Sequence, residues 1–335
     1  YFMASFDIGA QWRLTSGLRY EDFRQVSVPF QPHSDFFVVT GQDLIDLPLF
    51  EDEVFGSFAL TYSIDSEMQL RFNVSETAIR PDFRDISSSF YIDPLTEFLV
   101  RGSTSIQSSA VDNVDIRWEW YLETGENLSA AFFWKDINNP IEQIELPSAT
   151  EGAPQLLTAN ADKGEVMGIE IEYLKDLSFI SDDMANYFVS GNFTFSESEV
   201  TICENTGNCL FEDQLKQALN TSESVTSVIT NNSRRLIGHS EWVVNMQLGW
   251  DSLDNNHAAT LVYNAFGPRI IVPGVNGFED AMEESFDSVD FIYTWYATYD
   301  ATVKVKLKNL LDEEKIIRQE GVDILRESVG TSVSL

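Results

Sequence analysis

The stretch Val111–Asp136, VDNVDIRWEWYLETGENLSAAFFWKD, constrains the fold most strongly because its polarity alternates from one residue to the next. From Val114 to Leu122 every second residue is apolar, and Trp118 and Trp120 belong to that series. A turn at 123–127 contains Gly and Asn, and a second alternating run starts at Leu128. A period of two indicates β-strands, and two such runs around a short turn predict a hairpin.

The two faces of this hairpin have different chemistry. One face is apolar and carries the tryptophans, whereas the other carries Asp115, Arg117 and Glu119. In a soluble sandwich the apolar face would pack against a second sheet. In a membrane barrel it would contact lipid, and the charged face would line a water-filled lumen. The rest of the chain bears on this choice.

Composition narrows the possible classes of protein. Only the segment 211–219 has a helical pattern, so the fold class is all-β. The chain has no run of 18 apolar residues and therefore no predicted transmembrane helix, but a barrel strand needs only about 9–11 residues. The formal net charge of −33 argues against nucleic acid and anionic lipid as partners, since both are recognised by Lys and Arg patches.

The same alternation predicts about twelve strands and the start of another at 331–335. The twelve are Tyr1–Ile8, Trp12–Val26, Val54–Ile64, Met68–Thr77, Val111–Leu122, Leu128–Leu146, Gly164–Leu174, Tyr187–Val200, Glu241–Trp250, Ala258–Phe266, Ser288–Tyr296 and Thr302–Leu311. Short turns and long loops alternate between them. This sorting is typical of an up-and-down barrel, with short turns at one end and long loops at the other.

The tryptophans provide a second indication of a barrel. Four lie beside short turns and two lie toward the long loops, all on the apolar face: Trp12, Trp120, Trp250 and Trp295, then Trp134 and Trp242. Two aromatic belts at the membrane interfaces would have this arrangement. Ordinary core aromatics are the alternative. Together with the loop pattern, the belts predict a transmembrane antiparallel up-and-down β-barrel.

Five runs of the sequence carry a resemblance to a known family. They are RFNVSETAIRPDFRDISSSFYIDP, DNVDIRWEWYLETGENLSAAFFWKDINNPIE, GIEIEYLKDL, LVYNAFGPRI and KVKLKNLLDEE. In this order they resemble the carboxy-terminal part of TonB-dependent outer-membrane receptors, in particular the subfamily common in Xanthomonas- and Caulobacter-type bacteria. The resemblance covers essentially all 335 residues.

The resemblance implies one partial barrel domain over 1–335, about 12–13 strands from the carboxy-terminal part of a plugged barrel of about 22 strands. The plug domain and the last strand are expected outside this segment. The implied location is the outer membrane of a Gram-negative bacterium. The implied partners are outer-membrane lipid, the protein's own plug domain and a small-molecule ligand, with TonB–ExbB–ExbD engaged through an amino-terminal region.

The resemblance also implies active uptake of a scarce ligand. An oligosaccharide is the first expectation and a ferric siderophore the alternative, because an anionic ferric complex would prefer basic loops and these loops are acidic. Sugar binding favours aromatic rings for stacking and carboxylates that accept hydrogen bonds from the sugar hydroxyls, and the loops contain both. The candidate ligand-binding residues are Arg80, Asp82, Phe83, Arg84, Phe90, Tyr91, Asp93, Arg117 and Glu119.

Several of these residues have a structural alternative. Pro81 would end a strand ladder, and Arg80 and Arg84 with their Asp neighbours would then pin the loop to the lumen wall. The row Lys304, Lys306 and Lys308 faces the lumen. It would contact acidic groups of the plug or of neighbouring strands, such as Asp290.

Two other functional classes are conceivable. A passive porin-type channel would use lumen charges such as Arg71 and Arg117 for selectivity. An outer-membrane hydrolase would have to use the adjacent pair His239–Ser240, but neighbours on a strand point to opposite faces, and no Gly-x-Ser-x-Gly elbow is present. We therefore expect no enzyme and no cofactor.

The two cysteines, Cys203 and Cys209, lie close together in the polar loop TICENTGNCL. This spacing predicts a small disulfide formed in an oxidising compartment. With only three scattered histidines, the sequence predicts no metal site.

Residues 1–335 expressed alone should aggregate. Without water in the hydrocarbon layer every backbone group must pair between strands, and a partial barrel leaves two unpaired edges. Size-exclusion chromatography after refolding measures the outcome. A stable, soluble monomer would count heavily against the barrel interpretation.

Overall fold

A computed structural model describes residues 1–27, 49–94, 98–122, 125–146, 155–205, 208–222 and 229–335. Most of the predicted loop near residue 40 and the middle of the one near 150 lie outside these ranges. Strands dominate the described residues, and the predicted helix is present as α1 (Leu210–Leu219). No helix in these ranges is both long and apolar enough to cross a membrane.

In chain order, the strands of the described ranges are β1 (Phe2–Ile8), β2 (Trp12–Gln25), β3 (Leu49–Ser63), β4 (Met68–Ile79), β5 (Tyr91–Ile92), β6 (Leu99–Arg101), β7 (Ser109–Tyr121), β8 (Asn127–Asn138), β9 (Ile141–Leu146), β10 (Gln155–Asn160), β11 (Lys163–Asp176), β12 (Tyr187–Thr201), β13 (Ser233–Arg234), β14 (Trp242–Asp251), β15 (His257–Phe266), β16 (Arg269–Val272), β17 (Ala281–Glu283), β18 (Phe286–Thr298), β19 (Ala301–Lys308), β20 (Glu314–Gln319), β21 (Val322–Ser328) and β22 (Ser332–Ser334).

One 14-stranded sheet contains all the long strands. Its order is β1-β2-β3-β4-β7-β8-β11-β12-β14-β15-β18-β19-β22, with β13 attached to β12. Every pair along this path is antiparallel, from β1 with β2 to β19 with β22. The sheet therefore has the up-and-down order that the alternation of turns and loops predicts.

The register places residues of like polarity side by side across the sheet. One row is apolar and runs Leu14, Leu60, Phe72, Ile116, Phe132, Ile169, Phe195. A row on the opposite face is polar and runs Gln69, Glu119, Ser129, Glu172, Asn192, Asn245, Asn264. Within the described ranges no second sheet packs on the apolar face, where Ile169 is 47% and Phe195 is 41% exposed. This excludes a soluble sandwich and leaves lipid to cover the face.

Aromatic rings gather beside the short turns, as predicted. The Trp12 and Tyr62 ring centroids are 4.4 Å apart, and those of Tyr187 and Trp250 are 6.5 Å apart. The His257 ring is stacked 6.4 Å from Trp295. These rings form the belt expected at a membrane interface.

The prediction of one continuous strand over 128–146 was wrong. The strand ends at Asn138, and β9 belongs to a different sheet. Asn139 has a φ of 52°, in the left-handed region, and Pro140 has no N–H to donate to a ladder. The two residues together turn the chain out of the barrel wall.

The predicted long loops are more ordered than their polarity suggested. They contain two four-stranded sheets, β5-β6-β10-β9 and β16-β17-β20-β21. Strand β3 also starts earlier than predicted, at Leu49, because the acidic run Glu51–Glu53 pairs with Glu21–Phe23 of β2. We call the two small sheets together with α1 the lid.

Two clusters of buried apolar residues lie in the lid and the segments beside it. Phe211 and Leu215 of α1 are fully buried and lie four residues apart on one helix face, against Ile144 and Leu157 of the first small sheet. A second cluster joins the two small sheets. Helix α1 ends at Asn220, whose left-handed conformation directs its N–H to helix carbonyls. The lid is therefore packed like a globular domain, whereas the barrel wall depends on lipid.

Replacing Phe211 with Ala should destabilise the lid and spare the barrel. Removing a fully buried Phe costs about 3–5 kcal/mol, and the cluster around Phe211 consists mainly of lid and adjoining loop residues, with Val200 near the end of β12. Limited proteolysis of the full-length protein should show faster cleavage in 139–162 and 202–232, outside the wall strands β11 and β12, with unchanged heat-modifiable migration of the barrel on gels. Leu219→Ala, on the partly exposed side of α1, is the control. Equal effects of the two variants would contradict this packing.

Candidate functional site

The segment after β4 is a tightly built turn at the base of the lid. An Asp82 carboxylate oxygen accepts from the backbone N–H of Arg84 at 3.0 Å, and Asp85 accepts from the N–H of Asp82 at 2.8 Å. The backbone N–H of Gly102 donates to the Ser87 carbonyl at 2.8 Å. A Cβ on Gly102 would lie 1.9 Å from the Asp85 carbonyl oxygen, so only glycine fits there. This packing gives Asp82 a structural role.

The outward surface of this segment combines rings and arginines. The Arg84 guanidinium lies 5.0 Å from the Tyr91 ring centroid, and the Arg101 guanidinium lies 5.3 Å from that of Phe90. Phe83 is 70% exposed and Phe90 is 50% exposed. We call these five residues the outer-loop patch. It offers flat apolar faces and cations at one surface, which suits stacking and anion contact.

The electrostatics beneath the outer-loop patch are acidic. Burial raises the pKa of the Asp85 carboxyl, and burial together with nearby Asp85 raises the pKa of the Tyr91 phenol. Asp93 lies at the end of β5, where its backbone N–H donates to the Phe98 carbonyl at 2.9 Å. Of the predicted set, Arg84 and Tyr91 contact each other, Phe90 contacts Arg101, and the exposed Phe83 precedes Arg84 in the chain. Sequence reasoning missed Arg101 because its Phe90 contact depends on the pairing of β5 with β6.

Arg80 lies apart from the outer-loop patch, in a cage of carboxylates. Its guanidinium is 2.8 Å from a Glu53 oxygen and 3.2 Å from a Glu21 oxygen, and it also pairs with Glu51. The Phe23 ring lies 4.8 Å below it, and the side chain is only 17% exposed. This geometry favours the structural alternative, in which Arg80 offsets acidic charge at the outer ends of β2 and β3.

Arg117 and Glu119 lie far from the outer-loop patch, on the lumen face of the wall. Arg117 is 3.1 Å from Glu119 and also pairs with Glu172, while Arg71 is 3.3 Å from Glu119. Two cations and two anions thus balance one another. Arg117 is eight residues along β7 from Ser109, roughly 26 Å at about 3.3 Å per residue. These residues therefore lie in the half of β7 that leads to the short turn.

The lysine row occupies the lumen face of β19. Lys304 and Lys306 are opposite Thr294 and Ile292 of β18, which carry no charge. Asp290, one of the predicted partners, instead accepts from the backbone N–H of Asn309 at 2.8 Å. The row therefore presents positive charge to the lumen.

The adjacent pair His239–Ser240 does not form a catalytic pair. The two ring nitrogens of His239 lie 2.8 Å from the Ser196 hydroxyl and 2.9 Å from the Ser198 hydroxyl. Ser240 donates to the Gly267 carbonyl instead. Burial and the nearby Arg235 lower the pKa of His239. The imidazole is a structural link between β12 and the loop that precedes β14.

A buried ion pair that sequence reasoning missed joins β9 of the lid to β13 of the large sheet. Arg234 Nη1 lies 2.9 Å from Glu142, and their side chains are 4% and 5% exposed. Burial raises the pKa of Glu142, although Arg234 opposes this shift. Cys203 and Cys209 are joined in a disulfide with their Cα atoms 5.7 Å apart. Asp162 lies beside them, but a disulfide leaves no thiolate to bind a metal.

A long antiparallel sheet with one lipid-compatible face, one polar face, aromatic belts and a lid at one end defines a β-barrel of the outer-membrane class. The family model described as TonB dependent receptor-like, beta-barrel matches residues 1–315, and the chain belongs to this family. The family consists of Gram-negative outer-membrane receptors and transporters, not enzymes. No curated protein sequence matches the chain.

Solved structures with this fold include receptors for different metals and chelates. The siderophore receptor PiuA from Acinetobacter baumannii is 14% identical with a TM-score of 0.62, covering 99% of this chain and 41% of that one. A mutant of the ferric enterobactin receptor from Pseudomonas aeruginosa is 14% identical with a TM-score of 0.58, and the match covers 98% of this chain and 42% of that one. The copper transporter OprC is 12% identical with a TM-score of 0.61, and the match covers 99% of this chain and 45% of that one. The chain thus spans less than half of each relative, and the likeness concerns the fold alone.

Acid should loosen the lid around His239. Because its folded pKa is below the ordinary value of about 6.5, the unfolded state binds the proton more readily. The stability that the neutral ring contributes is fully present above about pH 6.5 and is lost as the pH falls from that value through the lower folded pKa. Hydrogen exchange of 236–240 should accelerate between pH 7 and 5. His239→Gln should remove this dependence, and an unchanged profile in that variant would refute the assignment.

Proposed function

We propose that the full-length protein takes up a scarce ligand across the outer membrane by TonB-dependent active transport, and that the lid makes the first contact with it. The observation that carries this proposal is the outer-loop patch, which exposes Phe83 and Phe90 on a packed lid at the long-loop end of a barrel of this family. A binding surface held by a packed scaffold loses less conformational entropy when the ligand binds.

An oligosaccharide is the first ligand class. Flat aromatic faces stack on sugar rings, and the chain's net charge of −33 disfavours anionic ligands. The lumen wall changes character along the sheet. It is charged at Glu119 and Glu172 but carries amides at Asn192, Asn245 and Asn264. Amide side chains both donate and accept, which suits a neutral, hydroxyl-rich ligand.

A ferric siderophore is the second candidate, and the arginines of the outer-loop patch favour it. Arg84 and Arg101 each lie against an aromatic ring, so an anionic aromatic chelate would meet cations and ring faces together. The structures of similar fold include siderophore receptors, although at 14% identity they support the fold rather than the ligand.

A passive channel is the remaining alternative. Its selectivity would depend on lumen charges, but Arg117 and Arg71 are already paired with Glu119. In an uptake receptor the lumen is instead closed by the protein's own plug. The lysine row at 304–308 would then contact acidic plug groups, and TonB–ExbB–ExbD would act on the amino-terminal region.

Titration of the full-length protein in lipid nanodiscs tests the ligand class. Neutral oligosaccharides and ferric siderophores are added in turn, and intrinsic tryptophan fluorescence reports binding. The double variant Phe83→Ala/Phe90→Ala should weaken binding of the cognate ligand at least about tenfold, since centrally placed aromatic anchors contribute most to affinity. Phe278→Ala is the control, because Phe278 is 57% exposed in a different loop.

The outcomes separate the candidates. Saturable sugar binding that survives Arg84→Gln/Arg101→Gln supports an oligosaccharide receptor. Binding of ferric complexes alone, abolished by the arginine variant, supports a siderophore receptor. No binding together with large steady conductance would replace both with the passive channel.

A further inference from the structure

The longest connection at the short-turn end, residues 177–186, exposes two adjacent apolar side chains. Phe179 is 65% exposed and Ile180 is 60% exposed. Two acidic residues, Asp182 and Asp183, follow closely after them. The turn is therefore apolar in its first half and acidic in its second.

Hydrogen bonds hold the apolar pair in a defined position. The N–H of Leu177 donates to the Tyr187 carbonyl at 2.9 Å, and the N–H of Ile180 donates to the Leu177 carbonyl at 3.0 Å. The N–H of Ser178 donates to Asp176 at 2.8 Å. Phe179 and Ile180 thus project from a built turn.

The contact with Lys175 shows on which side of the wall Phe179 lies. Lys175 shares the strand face of Ile171 and Tyr173, the lipid-facing series of β11, and it is opposite Val189. Its ammonium nitrogen lies 5.8 Å from the centroid of the Phe179 ring. The ring is therefore folded against the lipid-facing side of the sheet, not toward the lumen.

The charge of Lys175 is compensated locally. Its ammonium is 2.6 Å and 2.8 Å from the two carboxylate oxygens of Glu126, whose side chain is only 5% exposed. The N–H of Asp176 donates to the same carboxylate at 3.2 Å. A paired lysine at this depth costs less to desolvate than a lone one, so the contact with Phe179 is compatible with a headgroup layer.

The aromatic belt continues into this turn. Tyr187, directly after the turn, is paired with Trp250, and both lie on the lipid-facing side of their strands. Aromatic side chains concentrate at the headgroup level of a bilayer. The short turns of barrels of this class face the periplasm. We propose that Phe179 and Ile180 insert into the periplasmic leaflet of the outer membrane and anchor this edge of the barrel to lipid. The partner is lipid because the Phe179 ring lies against the lipid-facing side of β11, next to the aromatic belt at Tyr187 and Trp250.

Spin labelling of the full-length protein in nanodiscs of phosphatidylethanolamine and phosphatidylglycerol tests the anchor. A nitroxide at Ile180→Cys should collide with oxygen and be shielded from a water-soluble nickel chelate, like a label at Ile171→Cys in the lipid-facing series. A label at Asn255→Cys, in another short turn, reports the aqueous phase. Nickel accessibility at 180 equal to that at 255 would overturn the proposal. Protection from both reagents would also overturn it, because protein would then cover the turn.

A pair of matched variants provides a second readout. Phe179→Asp/Ile180→Asp should lower the Tm in nanodiscs relative to the unmodified protein and leave the Tm in detergent nearly unchanged. Leu253→Asp, at a turn tip that is 92% exposed, is the control and should change neither value. An equal loss of Tm in nanodiscs and in detergent would assign the pair to internal packing and refute the anchor.

Discussion

The backbone hydrogen-bond ladder between neighbouring strands is the interaction on which the structure depends. In a medium without water, each N–H and C=O of the wall must find its partner in the next strand. The ladder also fixes the side-chain parity, because a slip of one residue would exchange the two faces. The apolar row through Phe72 and Ile116 and the polar row through Glu119 and Glu172 are consequences of one register.

The chain divides its stabilising interactions between two environments. In the wall, residues such as Ile169 are left exposed by the protein itself and rely on lipid. Above the wall, Phe211 and Leu215 are buried in a protein core that is independent of the bilayer. This division explains how the outer-loop patch is positioned. The core of the lid holds the outer-loop patch without help from the membrane. The buried pair Glu142–Arg234 joins the lid to β13, and the disulfide Cys203–Cys209 closes the loop before α1.

Although the formal net charge is −33, many of the charged side chains are neutralised by ion pairs with near neighbours. Arg80 forms ion pairs with three carboxylates at the outer ends of β2 and β3. Arg117 forms ion pairs with two carboxylates on the lumen face. The lysine row on β19 is the contrasting case, because it faces uncharged neighbours across its strand pair. The wall therefore offers the lumen a charged sector and an amide-rich sector, which differ in what they can bind.

The sequence by itself determined the strands, their faces, the belts and the family, because a period of two is a local property that each strand repeats independently. It also determined α1 and the cysteine pair. The site was predicted only in part. Arg84 lies against Tyr91 and Phe90 lies against Arg101, whereas Arg80 and Arg117 are held in ion pairs elsewhere. The ligand-binding role of the predicted residues stays a prediction. Only the tertiary structure decided these positions, the break at Asn139 and the order within the long loops. Those depend on contacts between segments far apart in the chain, which no local pattern records.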